Sequence, residues 1–182
     1  SSRRSAGRDA VERSASVGAS LVWLLAAHLA TVVAFADAAP CADAKSRQFD
    51  FWIGEWEVTA NGTVAGHNSI RPILDGCVLQ ETWSGVKGSA GSSFNFFDPQ
   101  RGKWRQLWVW RAGTTLELEG EFADGRMTLE GTSVGTDGRA VRNRVTWYDN
   151  DDGTVRQHWQ IVEPGSEEWK TVFDGFYRKR SD

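Results

Sequence analysis

From Trp52 onward the sequence alternates between apolar and polar residues with a period of two. Leu116, Leu118 and Phe122, for example, share one face of an extended segment, and the three glutamates between them lie on the other face. Turn-forming residues recur every eight to twelve positions, which leaves about ten strands. No long amphipathic helical segment follows residue 38. The pattern therefore predicts an all-β domain.

Short turns separate these strands, so each strand is expected to pair with the next one in an antiparallel meander. The turn signals are Asn61-Gly62, Asp75-Gly76, 88–92, 98–102, Ala112-Gly113, Asp124-Gly125, 136–138, 151–153 and Pro164-Gly165. Ten such strands have unpaired edges unless the sheet closes on itself. The sequence thus predicts an up-and-down β-barrel of about ten strands. A sandwich of two sheets is the alternative.

Residues 1–38 have the pattern of a secretory signal peptide. Four arginines precede an apolar run over 21–35, and Ala36-Asp37-Ala38 provides the small residues at a cleavage site. A helix over that run would span about 22 Å, less than the ~30 Å hydrocarbon core, so a stable membrane anchor after processing is not predicted. We expect a linker over 39–48, a barrel domain over 49–180, and a secreted or periplasmic location.

Composition narrows the class of function. The formal net charge is -3, with no basic stripe, which argues against a nucleic-acid partner. Ten tryptophans are many for a chain of this length, and a ten-stranded barrel has a lumen that ordinary side chains do not fill. Cys41 and Cys77 both follow the signal segment. In an oxidising compartment they could form a disulfide, and the alternative is two unpaired cysteines.

The segment 49–56 reads Phe-Asp-Phe-Trp-Ile-Gly-Glu-Trp. Its Gly54-x-Trp56 element, placed at the start of the first strand, resembles the G-x-W of lipocalins and other calycin barrels. That resemblance implies that Trp56 closes one end of the barrel under a basic residue of the last strand. Arg178 is the candidate for this cation–π contact.

A larger set of motifs occurs in the same order along the chain. It comprises 49–56, Gly76-Cys77, Glu81-x-Trp83, 104–108, 155–159 and 173–178. The set resembles an exported, mostly bacterial family of unknown function whose members open with Phe-Asp-Phe-Trp. The resemblance covers residues 49–180. It implies a calycin-like barrel and export, but it supplies no activity.

The alternation places few polar residues on the inner face. They are Glu81, Gln106, Asn143, Gln157, Thr171 and Tyr177. A carboxyl buried without a cation has a raised pKa, which suits a general acid or base near neutral pH. The structural alternative is that Glu81 is held by Gln106, Gln157 or Arg144, as buried carboxyls usually need partners.

Three functions remain open. The leading hypothesis is a binding module, without catalysis, for a small hydrophobic or aromatic molecule. The tryptophans expected to contact this ligand are Trp56, Trp83, Trp108, Trp110, Trp147 and Trp159. Gln106 and Gln157 would orient it. The second hypothesis is an isomerase, cyclase or hydratase that uses Glu81, with Tyr177 as a second donor. The third is a rigid interaction domain whose lumen is completely filled.

No cofactor is predicted. Haem binding is a further alternative, because the resemblance extends to nitrobindin, a related barrel that binds haem through a histidine. The alternation, however, places His158 on the outer face and His67 on the side of Ser69 and Arg71, so neither histidine matches. No Cys/His cluster has zinc-ligand spacing, and neither a phosphate-binding loop nor a nucleophile elbow is present. Ser92 and Ser93 are expected in a solvated turn. The sequence leaves the oligomeric state open.

Overall fold

The nine predicted turns separate ten strands in the structure, a computed structural model that describes residues 39–180. The strands are β1 (Gly54–Ala60), β2 (Thr63–Ile73), β3 (Val78–Gly85), β4 (Ala90–Asp98), β5 (Lys103–Trp110), β6 (Thr115–Ala123), β7 (Arg126–Val134), β8 (Ala140–Asp149), β9 (Val155–Val162) and β10 (Lys170–Lys179). Short 3-10 turns at Asp50–Trp52 and Leu74–Gly76 precede β1 and β3. The predicted signal peptide lies outside the described residues.

Every strand pairs antiparallel with its neighbours in the sequence, and β10 pairs with β1 to close the barrel. At this closing seam Trp56 lies opposite Lys179, and Val58 lies opposite Tyr177. The predicted up-and-down barrel is therefore confirmed, and the two-sheet sandwich is wrong. No helix within residues 39–180 has the length and hydropathy of a membrane span.

Turn chemistry explains the tight hairpins. Asn61 and Gly62, which join β1 to β2, have φ angles of 52° and 75°. Asp124 and Gly125, which join β6 to β7, have φ angles of 51° and 72°. Two successive positive φ angles suit the right-handed twist of the flanking strands, and Asn, Asp and Gly tolerate them best.

Aromatic residues before β1 close one end of the barrel. The Gly54-x-Trp56 element does lie at the start of β1, and the residues just before it form a 3-10 turn over Asp50–Trp52. Residues three apart on such a turn point the same way, so Phe49 and Trp52 enter the barrel together. Both are completely buried. Their ring centroids are 5.0 Å apart, and that of Phe49 lies 5.2 Å from that of Trp147.

A disulfide ties the N-terminal segment to the same end. Cys41 is bonded to Cys77, which lies just before β3. Arg47 Nη1 also donates a hydrogen bond of 3.2 Å to the carbonyl oxygen of Gly76. A cross-link over 36 residues removes chain entropy from the unfolded state and is worth about 3–4 kcal/mol. The segment 39–48, predicted as a linker, is thus covalently attached to the barrel.

Candidate functional site

The buried rings of Phe49, Trp52, Trp56 and Trp147 form an aromatic plug at one end of the barrel. A cavity of about 530 Å³ occupies the part of the lumen away from this plug. Trp83 and Trp110 lie near the ends of β3 and β5, and Ser89 belongs to the loop between β3 and β4. These lining residues lie at the end opposite Phe49 and Trp52. One end of the barrel is therefore packed, and the other holds the cavity.

Aromatic rings form the walls of the cavity. Six rings line it: the partly buried Trp83, Trp108, Trp110, Trp159 and Phe173, and the buried Tyr177. The centroids of Trp108 and Trp110 are 5.7 Å apart with the ring planes nearly perpendicular, and those of Trp110 and Trp159 are 6.1 Å apart. Such edge and tilted contacts fix the ring orientations while leaving faces toward the cavity.

Two glycines make room for these rings. A Cβ atom at Gly66 would lie 2.7 Å from the ring of Trp83. A Cβ atom at Gly91 would lie 2.4 Å from the ring of Trp108. Both distances are shorter than any tolerated carbon contact, so the absence of a side chain lets each indole lie flat against the neighbouring backbone.

Glu81 is the only carboxyl among the described residues that line the cavity. Its side chain is 3% exposed, and its two oxygens accept one hydrogen bond each, from Asn68 Nδ2 at 2.8 Å and from Ser93 Oγ at 2.5 Å. Within residues 39–180 it forms no ion pair. Burial raises the pKa of Glu81 to about 7, although both hydrogen bonds lower it.

Tyr177 lies beside this carboxyl. Its hydroxyl donates a hydrogen bond to Gln157 Oε1 and accepts one of 3.4 Å from Asn68 Nδ2. Burial, together with the negative charge of Glu81, holds the pKa of Tyr177 well above its ordinary value. Tyr177 therefore remains a neutral hydrogen-bond donor over the physiological pH range.

A chain of amides continues from Ser93 along the inner face. Asn95 Nδ2 donates to Ser93 Oγ at 2.8 Å, and Gln106 Nε2 donates to Asn95 Oδ1 at 2.8 Å. This chain fixes the direction in which Ser93 donates, since its oxygen accepts from Asn95 and its proton is directed to Glu81. The site thus combines an ordered polar cluster with aromatic walls.

Most of the predicted site residues meet at the cavity. Those that line it are Glu81, Trp83, Gln106, Trp108, Trp110, Gln157, Trp159 and Tyr177. Trp56 and Trp147, predicted as ligand contacts, lie elsewhere and are completely buried. Trp56 Nε1 donates to the Trp52 carbonyl oxygen at 2.9 Å, and Trp147 packs on Phe49. Both are part of the aromatic plug because they occupy the closed ends of β1 and β8.

The cation over Trp56 is Lys179, not the predicted Arg178. Lys179 Nζ lies 5.5 Å from the centroid of the Trp56 ring. Arg178 lies opposite Glu57, which is on the outer face. Gly54 has a φ of 151°, a backbone conformation that favours glycine, and a Cβ atom there would lie 3.4 Å from the Trp56 ring. The G-x-W element thus packs as the resemblance implied, with a different basic residue.

The pattern of the sequence did not point to the three buried polar residues that form the hydrogen-bonded cluster at Glu81. Asn68 alternates with the outward His67, and this alternation could have placed it inside. Ser93 was expected in a solvated turn but lies within β4 and is 1% exposed. Asn95 follows it on the same face. Turn residues just before β4 obscured the start of that strand.

Two residues that were expected inside the barrel, Arg144 and Thr171, lie on its outer face. Arg144, considered as a partner of Glu81, pairs with Glu130 Oε1 at 2.5 Å. Thr171 was placed on the inner face, but its hydroxyl lies 2.8 Å from His158 Nε2 on the outer face. A register shift between Thr171 and Phe173 explains the difference, because one extra residue reverses the faces.

The two histidines of the described region do not reach the cavity. His67 is exposed, and His158 bonds to Thr171 on the outside. Neither is among the lining residues. A haem held in this lumen by a histidine therefore does not fit the residues present.

No protein-family model matches this chain, and no curated protein matches it. The function is therefore argued from the cavity itself: its size, its aromatic walls and its one carboxyl.

Proposed function

We propose that this chain is an exported β-barrel protein that binds a small hydrophobic or aromatic ligand in its tryptophan-lined lumen. The observation that carries the proposal is a cavity of about 530 Å³ whose walls include six aromatic rings. Ligand cavities are commonly about 300–1,000 Å³, mainly apolar, with a few polar groups that fix orientation. The alternative of a rigid interaction domain requires a lumen that is completely filled by side chains, and such a lumen would leave no cavity of this volume.

Gln106 and Gln157 supply polar groups that would orient the ligand. Each lines the cavity, and each uses one end of its amide within the polar cluster, Nε2 of Gln106 and Oε1 of Gln157. The opposite ends, one acceptor and one donor, would then be directed to a bound molecule. The partner of the protein in this proposal is a small molecule, and neither a nucleic acid nor a membrane.

Export to the periplasm or the cell exterior has two supports. The first is the charged, apolar and small-residue pattern of residues 1–38. The second is the Cys41–Cys77 disulfide, since disulfides persist in oxidising compartments. We further propose that the chain is a calycin-type barrel of the exported family whose opening Phe-Asp-Phe-Trp motif it shares.

Tryptophan emission tests the binding proposal. Four of the ten tryptophans line the cavity, so a bound fatty acid, flavonoid or quinone should shift or quench the emission of the purified protein. Trp159→Phe should reduce the response. Trp169→Phe is the matched control, because Trp169 lies outside the cavity lining with its ring 4.0 Å from the Arg144 guanidinium.

Emission that stays unchanged across the whole panel would contradict the proposal. A response that disappears in Trp169→Phe but persists in Trp159→Phe would place the ligand on the outer surface instead.

A second function is favoured by one observation, the raised pKa of Glu81 beside the Tyr177 hydroxyl. A carboxyl that titrates near neutral pH can act as a general acid or base in an isomerase, cyclase or hydratase. Glu81→Gln separates the two functions for any compound that the protein binds and converts. Retained affinity with lost turnover would indicate an enzyme, whereas unchanged turnover would remove Glu81 from the chemistry.

A further inference from the structure

The ionisable side chains of the cavity can supply negative charge but no positive charge. Among the described residues that line it, Glu81 is the only acid, and there is no lysine, arginine or histidine. The groups that face Glu81 from the neighbouring strands are Asn68 on β2, Ser93 on β4 and Tyr177 on β10. Of these, only Tyr177 titrates, and it stays neutral. An ionised Glu81 thus has no counter-ion of the protein's own within the cavity.

We propose that the cavity selects an organic ammonium ion with a flat apolar body, for which Glu81 is the counter-ion and the tryptophan walls are the cation–π surface. This inference rests on the ligand-binding function proposed above and names the chemical class of the ligand.

The carboxylate can still accept hydrogen bonds from such a ligand. Two carboxylate oxygens have about four acceptor positions, and Asn68 and Ser93 use two of them. Gln106 donates through Nε2, so its carbonyl oxygen provides a further acceptor on the same wall. An ammonium group needs acceptors and a negative charge, and this site has both.

The strand register places two indoles on the same inner wall as the carboxyl. Trp83 lies two residues after Glu81 and therefore on the same face of β3. Trp108 lies opposite Ser93, which in turn lies opposite Glu81, so all three share one row across the sheet. A cation within about 6 Å of an indole face is attracted by the ring quadrupole, and more strongly when it is removed from water.

A ligand of the opposite charge would be disfavoured. A carboxylate inside the cavity would find no basic side chain and would lie near Glu81, so binding it would require one of the two acids to take up a proton. An alcohol would be accepted without a charge penalty, but it would gain neither the ion pair nor the cation–π contact. The predicted order of affinity at pH 8 is ammonium, then alcohol, then carboxylate.

Three probes that share a phenylalkyl group and differ in their terminal polar group test this order: phenylbutylamine, phenylbutanol and phenylbutyrate. Isothermal titration calorimetry of the purified protein at pH 8, where Glu81 is mostly ionised, should show the amine binding at least about tenfold more tightly than the alcohol. Binding of the amine should weaken about tenfold from pH 8 to pH 6, because Glu81 with a pKa of about 7 becomes protonated. Binding of the alcohol should change little.

A second measurement uses the unmodified protein alone. At pH 7 about half of the Glu81 carboxyls hold a proton, so binding of the amine should release roughly half a proton per site. Titrations in two buffers with different ionisation enthalpies measure this release. The alcohol should release none, and it is the matched control because its body is the same.

Two variants test whether Glu81 and Trp83 are responsible for the preference for the amine. Glu81→Gln should remove most of the advantage of the amine and leave the affinity for the alcohol within about threefold. Trp83→Leu, at a partly buried position, should weaken the amine more than the alcohol. Trp169→Phe, outside the cavity, should change neither.

The outcomes distinguish the failure of the ammonium inference from the failure of the proposed ligand-binding function. If the alcohol or the carboxylate binds as tightly as the amine, or if amine binding releases no proton at pH 7, the ammonium inference is overturned and ligand binding stands. If neither these probes nor the hydrophobic panel binds, the proposed function fails and the inference fails with it.

Discussion

Replacing Glu81 with glutamine should make the protein more stable above pH 7 and leave its stability nearly unchanged below pH 4. Glutamine has the same shape as protonated glutamate. Its carbonyl oxygen can accept the bond from Asn68, and its amide can donate to Ser93 Oγ once the Ser93 hydroxyl proton turns away, as it also must for protonated Glu81. The variant lacks only the ability to become charged in a buried place.

The magnitude follows from the pKa of Glu81, which burial raises from its ordinary value of 4.5 to about 7. Between these values the folded protein holds a proton that the unfolded chain has released, so the free energy of unfolding falls as pH rises. The decrease is complete above pH 7 and amounts to about 3 kcal/mol at 1.36 kcal/mol per pH unit. Paired carboxyls such as Asp174, whose pKa Arg156 lowers, act in the opposite direction.

These other groups are identical in both proteins, so they cancel in the difference between variant and parent. Urea unfolding at intervals from pH 4 to pH 8, with the disulfide intact, measures that difference. With a urea dependence of about 1–3 kcal/mol per molar, the two midpoints should separate by about 1–3 M at pH 8. A difference that stays constant across the whole range would refute the raised pKa and with it the uncompensated charge in the cavity.

Two further substitutions test the closed end and the cavity wall. Lys179→Ala should lower the free energy of unfolding by about 0.5–1 kcal/mol through loss of the cation–π contact with Trp56, and Arg178→Ala should lower it by less than half as much. Equal losses in urea unfolding would contradict this assignment. Gly91→Ala should cost about 1–3 kcal/mol and weaken ligand binding, because the new methyl group would displace the Trp108 ring. Parent-like stability and affinity in this variant would show that the wall is not tightly packed.

The barrel could be predicted because its determinants are local. Turn pairs such as Asn61-Gly62 are readable from two residues, and the alternation between them assigns each residue to a face. The exception is the segment before β1. The segment 49–56 was assigned to the start of the first strand through its motif, whereas Phe49 and Trp52 pack together, three apart, on a 3-10 turn. Tertiary packing against the closed end decided in favour of the turn.

The cavity lining was only partly predictable, because alternation gives the face of a residue and not its height along the barrel. Trp147 and Trp159 both point inward, yet only Trp159 reaches the cavity. The height depends on which end receives the N-terminal plug, which is a long-range contact. The cation over Trp56 could have been predicted from β10. Because Tyr177 points inward, the alternation assigns Lys179 to the inner face and Arg178 to the outer face.

The presence of an acid at position 81 is not explained by stability. At pH 8 the buried carboxylate costs the folded protein about 3 kcal/mol, and a glutamine would bond to the same two partners without that cost, with the direction of the Ser93 bond reversed. The neighbouring polar residues, Asn68, Ser93 and Tyr177, position the carboxyl but supply no charge to compensate it. A molecule that enters the cavity with a positive charge would supply it and recover the free energy as affinity. The carboxyl is therefore better understood as part of a binding site than as part of the core.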